Sequence, residues 1–248
     1  MQRFGSSSRD WDELASMDPL WAVLTLNDKR GNRWDIEEFW ETGRDQVEAT
    51  MGLLDRLGWN GERELAVDFG CGVGRMSRAL SPYFDRTVGV DISIKMVELA
   101  QDLNAGVSGL EFDHIDGATI DAIQSSTVDM VHTILVLQHL PSATQAIEYL
   151  HEFDRIVRPG GVLVFDIITE TRWTYRLRAR RRLYRILRVA GVAAERLHAK
   201  GLTSMTMTSV PVQDVDDFIR DTDLEVLLID DQQKGSFSKR FYYLRKPG

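Results

Sequence analysis

The stretch "DFGCGVGR", Asp68 to Arg75, sets three alternate glycines directly behind the apolar run "ELAV". A glycine-rich turn between a strand and a helix lets backbone N–H groups and a helix N-terminus face a ligand, and the chemistry it suits is the holding of a nucleotide-like molecule. Two more acids stand at similar junctions. Asp91 closes "RTVGVD", 23 residues after Asp68, and Asp116, followed by Gly117, closes "LEFDHID". His139, in "VLQHLP", follows the run "VDMVHTIL". Histidine titrates close to neutral pH, which suits it to take or give a proton.

The spacing distinguishes two uses of the glycines. The dinucleotide fingerprint G-x-G-x-x-G needs a third glycine so that helix and strand pack closely. Counted from Gly70 that place is held by Arg75, which is far too large; counted from Gly72 it is held by Ser77, in a register that displaces Asp68. The pattern present is Asp68-x-Gly70-x-Gly72-x-Gly74, which resembles the first motif of the class I S-adenosylmethionine-dependent methyltransferases. The resemblance continues through Asp91, Asp116-Gly117, "VDMVHTILVLQHLP" and "LHEFDRIVRPGGVLVF". It spans Glu64 to Val164 in motif and Val210 to Lys246 in topology.

The resemblance implies S-adenosylmethionine as cofactor and S-adenosylhomocysteine as product. It assigns Asp68, Gly70, Cys71, Gly72 and Gly74 to the loop beneath the cofactor and Asp91 to the two ribose hydroxyls. Asp116 and Gly117 fall beside the adenine amino group, and Ile92, Ile134 and Gln138 are the remaining cofactor-side residues. Arg75 is a candidate for the methionine carboxylate or else a surface ion-pairing residue; Arg44, in "ETGRDQ", is the alternative. Cys71 reads as a packing residue. His139 is either the base that removes the acceptor's proton or a residue that shapes its loop, and Gln138 orients substrate or cofactor through its amide. His114 and His132 fall in strands and read as structural, whereas His198 is a further candidate for the acceptor side.

The implied reaction is methyl transfer to a small-molecule acceptor, sugar-containing or lipid-linked. His139 tilts the choice toward oxygen, because an aliphatic hydroxyl must lose its proton as the new bond forms. Nitrogen or carbon transfer is the alternative, and a docking module that kept the fold is the alternative of another class. A metal-assisted transfer to oxygen is a further alternative, since magnesium takes oxygen ligands dispersed along a chain, but no local acidic cluster demands it, and "DVDD", Asp214 to Asp217, reads as charge at a helix N-terminus.

The elements that must position these residues are legible as alternating short apolar runs and helical segments. "ELAVDFG", "RTVGVD", "LEFDHID", "VDMVHTIL" and "VLVFDII" read as strands. Between them "RMSRALSPY", "SIKMVELAQDLN" with Ser93 as N-cap, and "SATQAIEYLHEFDRIV" stopped by "RPGG" read as helices. Such alternation predicts a doubly wound parallel sheet with ligands beyond the carboxyl ends of its strands. The tail gives a helix and two strands with no helix between them. The fold expected is therefore α/β, with a seven-stranded, mostly parallel sheet and an antiparallel last strand. Ahead of it, residues 1–60 read as a helical cap, with "GSSSRD" a flexible lead and one or two amphipathic helices over Asp35 to Leu57; residues 61–248 form the main body.

The chain has 248 residues, a formal net charge of −8 and one cysteine. That length buries a full core without staples, and a single cysteine fits a reducing, cytosolic address. The acidic balance argues against general nucleic-acid binding. One stretch departs from it: "RWTYRLRARRRLYRILRVAG", within a helical insertion over residues 171–205, carries Arg172, Arg176, Arg178, Arg180, Arg181, Arg182, Arg185 and Arg188 with no intervening acid. It reads as a solvated face of an acceptor-site lid, as a surface for an anionic acceptor or a membrane, or as a small footprint for nucleic acid. Met205 and Met207 line an acceptor pocket or pack in the core. Trp11, Trp21, Trp34, Trp40 and Phe39 read as cap packing or as a substrate cage.

Overall fold

The computed structural model describes residues 4–117, 119–171, 179–234 and 237–248. Five parallel strands, β1 (Leu65–Phe69), β2 (Arg86–Asp91), β3 (Leu110–His114), β4 (Val128–Thr133) and β5 (Val157–Thr171), carry the sheet. The tail supplies β6 (Glu225–Lys234) and β7 (Phe237–Arg245) as a hairpin. β7 inserts antiparallel between β5 and β6, giving the order β3-β2-β1-β4-β5-β7-β6. This is the seven-stranded sheet with an antiparallel last strand that the sequence predicts.

Alternation along each strand divides the apolar side chains between two layers. Val67, Val131, Leu163 and Leu244 face α6 (Ala143–Ile156) and α9 (Val212–Asp221), whereas Ala66, Met130, Val162 and Tyr243 face α3 (Ile36–Arg56) and α4 (Arg75–Leu80). Ser93 caps α5 (Ile94–Leu103), its hydroxyl accepting the Met96 N–H, and Ser142 caps α6 through the Gln145 N–H. "RPGG" does not precede β5: the strand opens at Val157, directly after α6, and its pairing with β4 shifts register across these residues.

The cap is α1 (Phe4–Met17), α2 (Pro19–Val23) and α3, the last a single helix whose N-cap Asp35 accepts the Glu37 and Glu38 N–H groups. The flexible lead expected at "GSSSRD" is instead part of α1. Tertiary contact overrides its weak propensity: Asp12 accepts from the Ser93 hydroxyl at 2.6 Å, and Lys95 donates to Ser16 at 2.6 Å. Trp21, Trp34, Phe39 and Trp40 are buried together against Met96 and Val73, so these aromatics are cap packing.

After β5, α7 (Ala179–Val189) and α8 (Ala194–Ala199) form the described part of the insertion; Arg172, Arg176 and Arg178 lie outside the described residues. The inward side of α7 is clamped to α1. Arg181 pairs with Asp10 at 2.6 Å, Arg188 pairs with Glu13 at 2.7 Å, and the Tyr184 hydroxyl donates to Glu13. Among the described residues no helix is long and apolar enough to cross a membrane.

Candidate active site

The carboxyl ends of β1, β2 and β4 converge on one pocket, which encloses about 960 Å³ including its mouth. Clefts of about 300–1,000 Å³ take ligands of nucleoside size and larger. The floor is the glycine loop. Gly70 and Cys71 both donate their N–H to the Val90 carbonyl, at 2.8 and 3.0 Å, which ties the loop to β2. Gly70 and Gly72 adopt φ of +73° and +54°. A Cβ on Gly70 would lie 2.4 Å from Val136, and one on Gly72 would lie 2.4 Å from Val23 of α2. The glycines thus serve close approach by both the β4 loop and the cap. Cys71 is buried in this turn, its thiol pushed up in pKa by desolvation, and so packs as the sequence reading expects.

The acids hold the loop in shape. Asp68 is buried and accepts the Ser77 hydroxyl at 2.6 Å. His132 lies fully buried beside it, with Nδ1 3.6 Å from the carboxylate. Asp91 accepts the Gly72 N–H at 2.9 Å and the Ser93 N–H at 2.8 Å. Burial raises its pKa to about 6 in spite of those backbone donors.

Arg75 lines the same pocket and is only 3% exposed. Its Nη atoms reach Gln46 at 3.3 and 3.4 Å and Thr42 at 3.4 Å, both neutral, and its Nε has no partner. Burial lowers its pKa to about 10. Among the described residues no carboxylate forms an ion pair with it; Asp68 supports its charge only from a distance, which offsets part of the cost of burial. Arg44 is exposed and off the lining of this pocket; it lines a second cleft with Trp40, Glu48, Arg78 and Tyr83, to which Arg75 also contributes.

His139 forms the pocket's far wall. Its Nδ1 lies 2.7 Å from the Thr206 carbonyl, an acceptor only, so Nδ1 carries the proton and Nε2 holds a lone pair. The Gln138 amide donates toward that Nε2 at 3.1 Å. Burial pushes the His139 pKa down, and Lys239 adds to the effect. The segment that follows the insertion fixes this loop, because Thr206 and Thr208 donate their hydroxyls to the carbonyls of His139 and Leu140, at 3.0 and 2.7 Å. Ser7 and Trp11 of α1, with Ala22 and Val23 of α2, roof the pocket, and Trp11 sets its edge against His139 with centroids 5.3 Å apart.

Of the other sequence candidates, Ile92 and Ile134 line the pocket, while Gly74 is the N-cap of α4 behind it. Gln138 is buried in the loop. Asp116 is exposed beyond β3 and off the pocket lining, where Ile115 stands instead; Gly117 contributes a carbonyl that accepts the Tyr149 hydroxyl at 2.6 Å. His114 contacts the Ile92 carbonyl. His198 is not on the pocket: it is buried 3.2 Å from Asp18 and packs its edge on Trp21, joining insertion to cap. Met205 packs against the cap cluster.

Two lining residues escape sequence reasoning. Tyr149 is hidden in the amphipathic pattern of α6. Leu135, at the end of β4, has φ of +69°, a conformation that a leucine adopts only when its surroundings impose it. Its N–H donates to Asp166 at 2.7 Å, and Asp166 is paired with Lys239 at 2.5 Å.

Comparison with known proteins agrees with this geometry. Residues 67–165 match the family described as a methyltransferase domain. An uncharacterized 37.1 kDa transposon protein of Streptomyces fradiae is 36% identical over 105 residues, covering 41% of this chain and 29% of that protein. A ubiquinone biosynthesis O-methyltransferase of Burkholderia orbicola is 26% identical over 195 residues, or 75% of this chain and 77% of the relative. The magnesium protoporphyrin IX methyltransferase of Synechocystis PCC 6803, solved with bound S-adenosylhomocysteine, superposes with a TM-score of 0.57 at 19% identity, covering 86% of this chain and 88% of that one. The sheet order, the glycine loop and the matched core agree: residues 67–165 form a methyltransferase domain, set in the fold of S-adenosylmethionine-dependent methyltransferases.

Proposed function

We propose that the protein methylates an oxygen of a small-molecule acceptor, with His139 as the base. The observation that carries this reading is the tautomer of His139: a neutral imidazole on the wall of the pocket whose floor is the cofactor loop, with an Nε2 lone pair that takes the acceptor's proton once the Gln138 amide turns from it. The name of the Burkholderia relative supports oxygen as the acceptor atom.

Bound S-adenosylmethionine supplies an activated methyl on a sulfonium, so the protein's work is alignment, exclusion of water and handling of one proton. Asp91, charged above pH of about 6, offers its carboxylate to the ribose hydroxyls, and Arg75 supplies the cation for the methionine carboxylate. Ile115 lines the pocket beyond β3, at the end where adenine would lie, with Asp116 and Gly117 just outside the lining, and the Gln138 amide meets His139 at the transfer end. His139 takes the acceptor's hydroxyl proton on Nε2, while the Thr206 carbonyl stabilises the imidazolium through Nδ1–H. Trp11 and the α2 residues close the roof, which keeps water from the reacting atoms.

The test is label transfer from methyl-labelled S-adenosylmethionine into a host-cell extract, separated into lipid-soluble, small aqueous and macromolecular fractions. Label in either small-molecule fraction is expected, reduced about 100-fold or more in His139→Ala. The rising limb of the pH profile should lie below the ordinary histidine range and vanish in that variant. Label confined to macromolecules overturns the small-acceptor reading, and an undiminished His139→Ala rate overturns the base.

A further inference from the structure

The insertion helix α7 presents two faces with different work. Residues 181, 184 and 188 recur at i, i+3 and i+7 and are consumed by α1, through Asp10 and Glu13. Beside it an exposed face recurs at 182, 185, 186 and 189 and carries Arg182, Arg185, Ile186 and Val189. Ile186 is 64% and Val189 91% exposed, and Leu183, one step round the helix, is 46% exposed. These three are among only seven large apolar side chains exposed across the described residues. Arg180 extends the basic surface at the start of the helix.

An arginine pair interleaved with isoleucine and valine on one exposed face needs surroundings that are both anionic and apolar. A phosphodiester backbone would leave Ile186 and Val189 in water, and an apolar protein groove would bury Arg182 and Arg185 without counter-ions. The headgroup and acyl boundary of an anionic bilayer satisfies both, because arginine heads reach the phosphates while their stems and the apolar side chains lie deeper. The chain's net charge of −8 does not oppose this. At physiological ionic strength charges are screened over about 8 Å, and no Asp or Glu occurs between Glu170 and Glu195.

We propose that the outward face of α7 is a docking surface for anionic lipid membranes, one that lays the protein on the bilayer without spanning it. The inference is independent of the methyl-transfer reading. It sets the roof of the pocket next to the membrane, since α1, which carries Ser7 and Trp11, is the helix to which α7 is clamped.

The test is co-sedimentation of the full chain with vesicles of phosphatidylcholine containing phosphatidylglycerol, against vesicles of phosphatidylcholine alone. Binding is expected only to the anionic vesicles and should weaken with added salt. Each arginine near the surface contributes about fivefold in partitioning, so Arg182→Ala/Arg185→Ala should weaken binding about 25-fold. Ile186→Ser/Val189→Ser should weaken it comparably. Both double variants should keep wild-type affinity for S-adenosylmethionine, which shows that they fold and that the loss belongs to the face. Absence of binding, or equal binding to neutral vesicles, overturns the proposal. Loss with the arginine pair but not the apolar pair overturns it in favour of simple attraction to a polyanion. A concentration-dependent dimer in sedimentation velocity that Ile186→Ser/Val189→Ser dissolves overturns it in favour of a second copy on this face.

Discussion

Replacing Arg75 with methionine should separate stability from cofactor binding. Its guanidinium is buried with only long hydrogen bonds to Gln46 and Thr42, and among the described residues no carboxylate forms an ion pair with it. A pKa brought from 12.5 to about 10 corresponds to a cost of about 3 kcal/mol for keeping the charge in the apo fold at neutral pH. Arg75→Met removes that cost and leaves Gln46 and Thr42 without a donor, which takes back about 1–3 kcal/mol. The apo variant should therefore be as stable as the parent or about 1–2 kcal/mol more so, the latter a rise of about 2–8 °C in midpoint for a chain of this size. Cofactor affinity should move the other way. A hydrogen bond to a charged group contributes about 1.5–3 kcal/mol, so loss of the guanidinium should weaken S-adenosylmethionine binding about 10- to 150-fold by titration calorimetry. Arg75→Lys, which keeps charge but not the fork, should fall between. A variant that unfolds earlier yet binds cofactor like the parent would falsify the reasoning, because the arginine would then be a structural tie between α3 and α4.

Asp91 should make the apo protein less stable as pH rises from about 4 to 6, since the folded state holds the proton to about pH 6 and the unfolded state only to 3.8. The decline amounts to about 3 kcal/mol and should be absent in Asp91→Asn, while cofactor affinity in the parent should climb through the same window and then level off. Gly72→Ala should destabilise by about 1–3 kcal/mol through its positive φ and its clash with Val23, and Val23→Ala in that background should return part of the loss in urea unfolding. Asp166→Asn leaves Lys239 nearly buried without a counter-charge and should cost about 3 kcal/mol, most of it recovered in Asp166→Asn/Lys239→Met; additive losses would show that the pair is not coupled.

The sheet was legible because its signals are local. Each strand is a short apolar run, each helix has its period and cap, and the tail's lack of a crossover helix requires an antiparallel strand. The glycines and Asp91 were legible for the same reason, since spacing within one turn and distance between two strand ends survive projection onto a line. What was not legible depends on which segments meet. Arg44 and Arg75 offer the same functional group, and only the burial of one and the exposure of the other tells them apart. "GSSSRD" has the composition of a loop and becomes helix through contacts that Asp12 and Ser16 make some eighty residues away. Leu135 carries no sign of its left-handed backbone, because the constraint lies in Asp166 and Lys239 on two other strands.

The same long-range contacts tie the cap to the chemistry. Asp91 grips the Ser93 N–H, the Ser93 hydroxyl donates to Asp12 of α1, and α1 in turn holds α7 through Asp10 and Glu13. The opposite wall is tied in as well, because Thr206 just after the insertion orients His139 while His198, within the insertion, meets Asp18 at the start of α2. Asp91, proposed for the ribose side, and His139, proposed to take the proton, are thus joined through the cap and the insertion as well as through the sheet. A cofactor that reorganises Asp91 must act on the Ser93 end of this chain, so α1 is the element through which filling of the cofactor site would be felt at the acceptor wall. Breaking the link with Asp12→Ala, which leaves every pocket-lining residue in place, should increase hydrogen exchange in α1 and raise KM for the acceptor more than the Kd for S-adenosylmethionine. Equal effects on both would place Asp12 on the cofactor side alone.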